Sequence, residues 1–315
     1  MYEKWKGVHT RCAFNMIQEL IPLTRPRTLA AALGPTILGA AFSYYAFGAA
    51  QGTGLAIFHT VLIFLAVVTA QIVANLWNEY KDFKSGLDAG QKVGNAGSIT
   101  RGVITPELII TMIKVLMFVP IIIGLYLSTT ITWYYIPVGF LCILISFLYS
   151  GGPKPISRTP FGEISSGIAM GFAIVLITGY AWIRELSLAL LIPAIPSTLL
   201  VGSIMLTNNI RDIRNDESHG RHTLPIMLGR ERALSLMSIS YIFNFIWIIA
   251  WIIVGHMTWF ALLAFLAAPL AFKTIHTLST NTDEFQLDKA MGTTAGAAMI
   301  YQLMWAIGLI MGKLF

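Results

Sequence analysis

A chain of 315 residues that is 56% apolar and only 11% charged is not an ordinary soluble domain, where about a quarter of residues carry charge. Its mean hydropathy of +0.71 points to a polytopic membrane protein. The net charge of +6 calls for no nucleic-acid partner, because lysine and arginine gather on alternate loops, as the positive-inside rule expects.

Residues 1–27 lack the charged, apolar, small-residue order of a cleaved signal. They form a cytoplasmic or interfacial segment in which Cys12 to Leu23 reads as an amphipathic helix, with Trp5 at headgroup depth. Nine apolar windows follow, at 28–50, 54–78, 107–128, 131–149, 164–183, 186–209, 233–254, 257–272 and 290–312. Most have the roughly 17–25 residues that cross a bilayer as a helix. The eighth is short, and the third contains Lys114.

Five cations precede the first span, and four, two, five and two lie in loops 2–3, 4–5, 6–7 and 8–9. That distribution predicts a cytoplasmic N-terminus and an outer C-terminus. The loops at 128–131, 184–186 and 255–256 are then outer and minimal. The long ones, at about 80–106, 150–163, 210–232 and 273–289, are cytoplasmic, so chemistry belongs on that face. Cys12 and Cys142 are too few for a disulfide framework or a soft-metal site. No composition shift divides residues 1–315, which read as one all-α membrane domain.

Two acidic clusters end the second and sixth spans. The first places Asn75, Asn78 and Asp82 on one helix face with Glu79 beside it; Gly86 breaks the helix and lets Asp88 approach from the loop. In the second, Asn208, Asp212 and Asp216 share a face, Asn209 aligns with Asp216, and Arg211 and Arg214 point elsewhere, free for phosphate oxygens or lipid headgroups. Both clusters set an asparagine four residues before an aspartate, a faint internal repeat. Carboxylates at a membrane edge mark function by default. Two facing sets would repel without a cation between them. Oxygen donors without histidine or cysteine suit magnesium bridging carboxylates to phosphates. Lys81 and Lys84 read equally well as a solvated helix end, and Asn215 and Glu217 as ordinary loop residues.

Anion partners are expected in the loops. Gly94 to Gly102 is glycine-rich and carries Arg101, Tyr149 to Arg158 contains Lys154 on proline-flanked backbone, and Arg221 follows Gly220. His59 and His256 lie away from that face, and His219 and His222 lack a ligand pattern.

Taken together, these motifs resemble the UbiA superfamily of membrane prenyltransferases over nearly the whole chain, from about Arg25 onward. Within it the chain most resembles the branch acting on 1,4-dihydroxy-2-naphthoate in menaquinone synthesis. That narrower match rests on 75–88, 149–156, Thr159 to Glu163, 208–216 and 220–224. The resemblance implies nine transmembrane helices around a central cavity. It also implies transfer of a polyprenyl group from polyprenyl diphosphate to the naphthoate, with loss of pyrophosphate and carbon dioxide. Asn78, Asp82, Asp88, Asp212 and Asp216 would hold magnesium. Asn75, Asn78, Arg101, Tyr149, Lys154, Asn208, Asn209 and Arg221 would contact the diphosphate, with Asp82, Asp212, Lys154 and Arg101 catalytic. Glu79 stands where many members have aspartate, so its contact with metal is open. Other aromatic acceptors (4-hydroxybenzoate, homogentisate, a haem or chlorophyll precursor) fit the superfamily as well. A secondary transporter is the rival of another class, suggested by the proline-broken spans and the repeat.

Overall fold

The computed structural model describes residues 20–86 and 97–315; Trp5, Cys12, Asp88 and Gly94 lie outside them. Among the described residues all regular structure is helical. Nine main helices follow in order: α1 Pro26–Phe47, α2 Thr53–Ser85, α3 Pro106–Thr130, α4 Tyr135–Ser150, α5 Gly162–Ile183, α6 Leu188–Ser218, α7 Arg230–Ile253, α8 Trp259–Thr280 and α9 Glu284–Leu314. Eight are long and apolar enough to cross a bilayer, and α4, at 16 residues, is shorter.

The short span is thus the fourth, not the eighth as expected. Helix α8 opens as a 3-10 helix over Trp259–Ala267, which rises about 2.0 Å per residue and gains length. The third span is full length, with Lys114 exposed on its surface. Part of the expected loops 80–106 and 210–232 is instead helix, because α2 runs to Ser85 and α6 to Ser218. The stops are local. Gly86 ends α2 at φ 74°, a left-handed conformation that glycine adopts without penalty. Thr105 caps α3 by accepting from Leu108 N, with Pro106 in the first turn. Asp283 caps α9 through Gln286 N.

The helices alternate in direction, so the starts of α1, α5, α7 and α9 share one end with the finishes of α2, α4, α6 and α8. Helix α1 is central and packs on α9, α5, α2 and α6. Its Leu38 and Phe42 join Tyr301 and Trp305 of α9 in the largest core. Close approach depends on small residues. Gly308 of α9 lies on the Phe260 backbone of α8, where a Cβ would collide. Gly167 and Gly171 of α5 lie on Thr198 and Ser197 of α6, each leaving a Cβ 2.5 Å from a carbonyl oxygen. Between them α5 widens into a π-helix, Gly167–Phe172. On α3 the exposed Val115, Phe118, Ile122 and Leu125 form a lipid-facing stripe. At the opposite end Arg184 donates to Thr130 O at 2.8 Å and to Gln51, closing the short turns there.

Candidate functional site

A cavity of about 290 Å³ lies between α1, α2, α4, α5, α6 and α9. Helical spacing builds it. Gln71, Asn75, Asn78 and Asp82 lie on one face of α2, and Asn208, Asp212 and Asp216 on one face of α6, so both polar edges point inward. The polar mouth gives way to apolar wall: Val67, Ala70, Ile145, Ile174, Ile177 and Ile204 line the inner part. Val67 and Asp82 are both on α2, roughly 22 Å apart along its axis.

The two acidic sets meet through guanidinium groups. Arg221 donates to Asp82 Oδ1 at 2.9 Å and lies 3.3 Å from Asp216 Oδ1. Arg211 forms a fork on Asp212, both bonds 2.7 Å, and also reaches Asp288 at 2.8 Å and Asn208 Oδ1 at 2.9 Å. Arg27 pairs with the other Asp288 oxygen at 2.7 Å. Asn78 links Asp82 Oδ2, at 2.9 Å, to the Ser150 hydroxyl at the end of α4. Asp216 is only 2% exposed, and its Oδ2 is buried without a partner. Among the described residues no three His, Cys, Asp or Glu side chains surround one point; the arginines stand between the acids.

Asn75, Asn78, Asp82, Tyr149, Asn208, Asn209, Asp212, Asp216 and Arg221 all line the cavity. Asn75 also spends its amide N–H on Thr24 O at 2.9 Å, which fastens the segment before α1. Asp88 lies outside the described residues. Lys154 and Arg101 are exposed and are not on the cavity wall. Two backbone amides of the glycine-rich loop are engaged away from the cavity: Gly97 N and Ser98 N donate to Glu79 Oε1 at 2.9 and 2.7 Å. Glu79, 1% exposed, therefore anchors the 97–104 loop and does not line the cavity.

Several participants escaped the sequence reading. Arg211, expected off the acidic face and free for phosphate oxygens or lipid headgroups, faces into the cavity, and Asn215 lines it from a helix rather than a loop. Arg25 and Arg27, counted as topology charges, are also wall residues. Arg25 stands at φ 50°, a conformation uncommon outside glycine, and the Arg25-Pro-Arg27 order was the one available signal. Asp288, near the start of α9, carried none.

Known proteins resemble this chain in sequence and in fold. The model of the UbiA prenyltransferase family matches residues 32–307. The chain is 35% identical to 1,4-dihydroxy-2-naphthoate octaprenyltransferase of Bacillus subtilis, covering 94% of this chain and 93% of that one. It is 29% identical to the protein of the same name from Mycobacterium tuberculosis, over 92% and 96%. Among solved structures, a UbiA homolog from Aeropyrum pernix K1 superposes with a TM-score of 0.67 at 18% identity, over 90% and 97%. A UbiA homolog from Archaeoglobus fulgidus, bound to GPP and Mg2+, gives 0.59 at 16%, over 90% and 98%.

Proposed function

The chain belongs to the UbiA prenyltransferase family, and from that premise we propose that it moves a polyprenyl group from polyprenyl diphosphate to 1,4-dihydroxy-2-naphthoate. The products are demethylmenaquinol, pyrophosphate and carbon dioxide. The observation that carries this reading is the meeting of two acid-bearing helix ends over an apolar cavity. The Bacillus subtilis relative's name supports the acceptor.

Arg25, Arg27, Arg211 and Arg221 bring four guanidinium groups to the mouth, where their forked donors match phosphate oxygens. A diphosphate seated there leaves its chain along the apolar wall between Val67 and Ile177. The donor set fits a divalent cation: it is oxygen only, and one buried Asp216 oxygen has no partner. Asn78, Asp82, Asp212 and Asp216, with Asp88 from outside the described residues, would hold magnesium. Bound there, magnesium would neutralise the leaving pyrophosphate. As the carbon–oxygen bond breaks, the electron pair leaves with pyrophosphate and the guanidinium groups take up the added charge. Ring electrons of the naphthoate form the new carbon–carbon bond, and the carboxyl group departs as carbon dioxide. The apolar walls keep water from quenching the allylic cation.

The cation distribution supports a mouth on the cytoplasmic side, with the N-terminus in and the C-terminus out. The acids stand at one end of the helices rather than mid-membrane, which speaks against a transporter. The test uses purified protein, a radiolabelled polyprenyl diphosphate, magnesium and a panel of aromatic acceptors, read by chromatography. Transfer to 1,4-dihydroxy-2-naphthoate is expected, and Asp82→Ala and Asp212→Ala should each abolish it while the protein still inserts. Full activity of both variants contradicts the site.

A further inference from the structure

Glu163 opens α5 and carries no part of the chemistry above, yet it is 4% exposed at the end of a membrane helix. Its Oε1 accepts from Asn209 Nδ2 of α6 at 2.8 Å, and its Oε2 is buried with no partner. As a strut between helices this is a poor device. An orphaned buried carboxylate oxygen costs stability, and an apolar pair of similar volume would join α5 to α6 without that cost.

The pair does fix one thing. A carboxylate offers only acceptors, so Glu163 must take the N–H side of the Asn209 amide. Asn209 is itself a wall residue of the cavity, and the group left for the cavity is its carbonyl oxygen. Polar neighbours share that stretch of wall: Ser165 and Ser166 of α5, and Tyr149 of α4. A Cβ placed on Gly162 would lie 3.5 Å from the Tyr149 hydroxyl, so the start of α5 touches both Tyr149 and Asn209.

We propose that Glu163 is a positioning residue that turns the Asn209 amide so that its carbonyl oxygen receives a hydroxyl hydrogen of the aromatic acceptor. The inference rests on the prenyl-transfer reading and gives it a means of choosing a hydroxylated ring. In 1,4-dihydroxy-2-naphthoate the 1-hydroxyl is engaged by the adjacent carboxylate, which leaves the 4-hydroxyl as the free donor. An acceptor lacking that hydroxyl leaves the Asn209 oxygen unpaired, and sites built to bond a hydroxyl discriminate strongly against such analogues.

The experiment compares the KM for 1,4-dihydroxy-2-naphthoate with the inhibition constant of 1-hydroxy-2-naphthoate, which lacks the 4-hydroxyl. The KM for polyprenyl diphosphate is read alongside. Wild-type protein should favour the dihydroxy compound by about 10-fold or more. Glu163→Gln should reduce that preference to about 2-fold while leaving the prenyl diphosphate KM within about 2-fold, since a neutral amide no longer dictates the Asn209 orientation. Asn209→Asp should lose it too, because two carboxylates then face each other. Combining Glu163→Gln with Asn209→Asp should restore it: the new amide donates, and aspartate keeps an oxygen for the cavity.

A preference unchanged in Glu163→Gln overturns the assignment, as does a double variant no better than the singles. If Glu163→Gln does not fold, Asn209→Leu must lose the preference, and retention there overturns the assignment equally. Failure of wild-type protein to use the naphthoate at all sinks the proposed substrate instead. The same preference is then read with whichever hydroxylated acid is turned over and its dehydroxy analogue.

Discussion

Arg221 touches Asp82 and Asp216 at once, so one side chain from the stretch after α6 joins the two acidic sets. Removing a partner from a buried pair leaves uncompensated charge and costs of order 3 kcal/mol. Arg221→Ala should therefore lower the melting temperature in EDTA, and added magnesium should recover more of the loss than it gains in wild-type protein. Equal magnesium responses would argue against metal between these acids. The acids themselves were legible, because i, i+4 spacing on an apolar helix fixes a face. Arg25, Arg27 and Arg211 were not. Arg211 is one residue before Asp212, and helical phase alone sends it off the acidic face, but its long side chain turns back to fork that same aspartate. Lys154 and Arg101 are exposed and off the cavity wall: glycine- and proline-rich loops looked preformed, but nothing in their local sequence says which way a turn faces. Glu79 is the clearest case, a residue of the acidic motif whose carboxylate anchors a loop.

At the scale of elements, the α5–α6 contact sets the cavity's width. Gly171 is pressed onto the Ser197 and Thr198 backbone, which cannot give way as a flexible side chain would. Gly171→Val should destabilise the protein by about 1–3 kcal/mol through overpacking and reduce prenyl transfer. Gly124→Ala on α3, with open space around it, is the control and should leave stability unchanged or slightly higher. Paired thermal melts in one detergent decide this. All nine helical segments could be read from hydropathy, since each needs only local composition. Helix ends were harder. The sixth span was expected to end at residue 209 with a loop from 210, yet the polar residues to Ser218 stay helical, with Asp212, Asn215 and Asp216 on the cavity wall. The π-helix in α5 had no local signal; it contains the two glycines that lie against the α6 backbone.

For the whole molecule, alternation of the nine helices places the ends of α2, α4 and α6 beside the starts of α1, α5 and α9. The proposed orientation is checked by C-terminal fusions: alkaline phosphatase should be active and a green fluorescent reporter dark. The reverse pattern would place the cavity mouth outside. The central position of α1 also has a consequence for biogenesis. Gln302 of α9 packs against Gly34 of α1 and accepts from Ser197 of α6 at 2.9 Å. At about 5–20 residues per second on the ribosome, roughly 10–50 s separate completion of α1 from the start of α9. Through that interval the hub of the bundle sits in the bilayer without the helix it packs against most extensively, its small-residue flank bare to lipid or to an insertase. The chamber can therefore gain its last wall, Asp288 and Met291, only after translation has nearly finished.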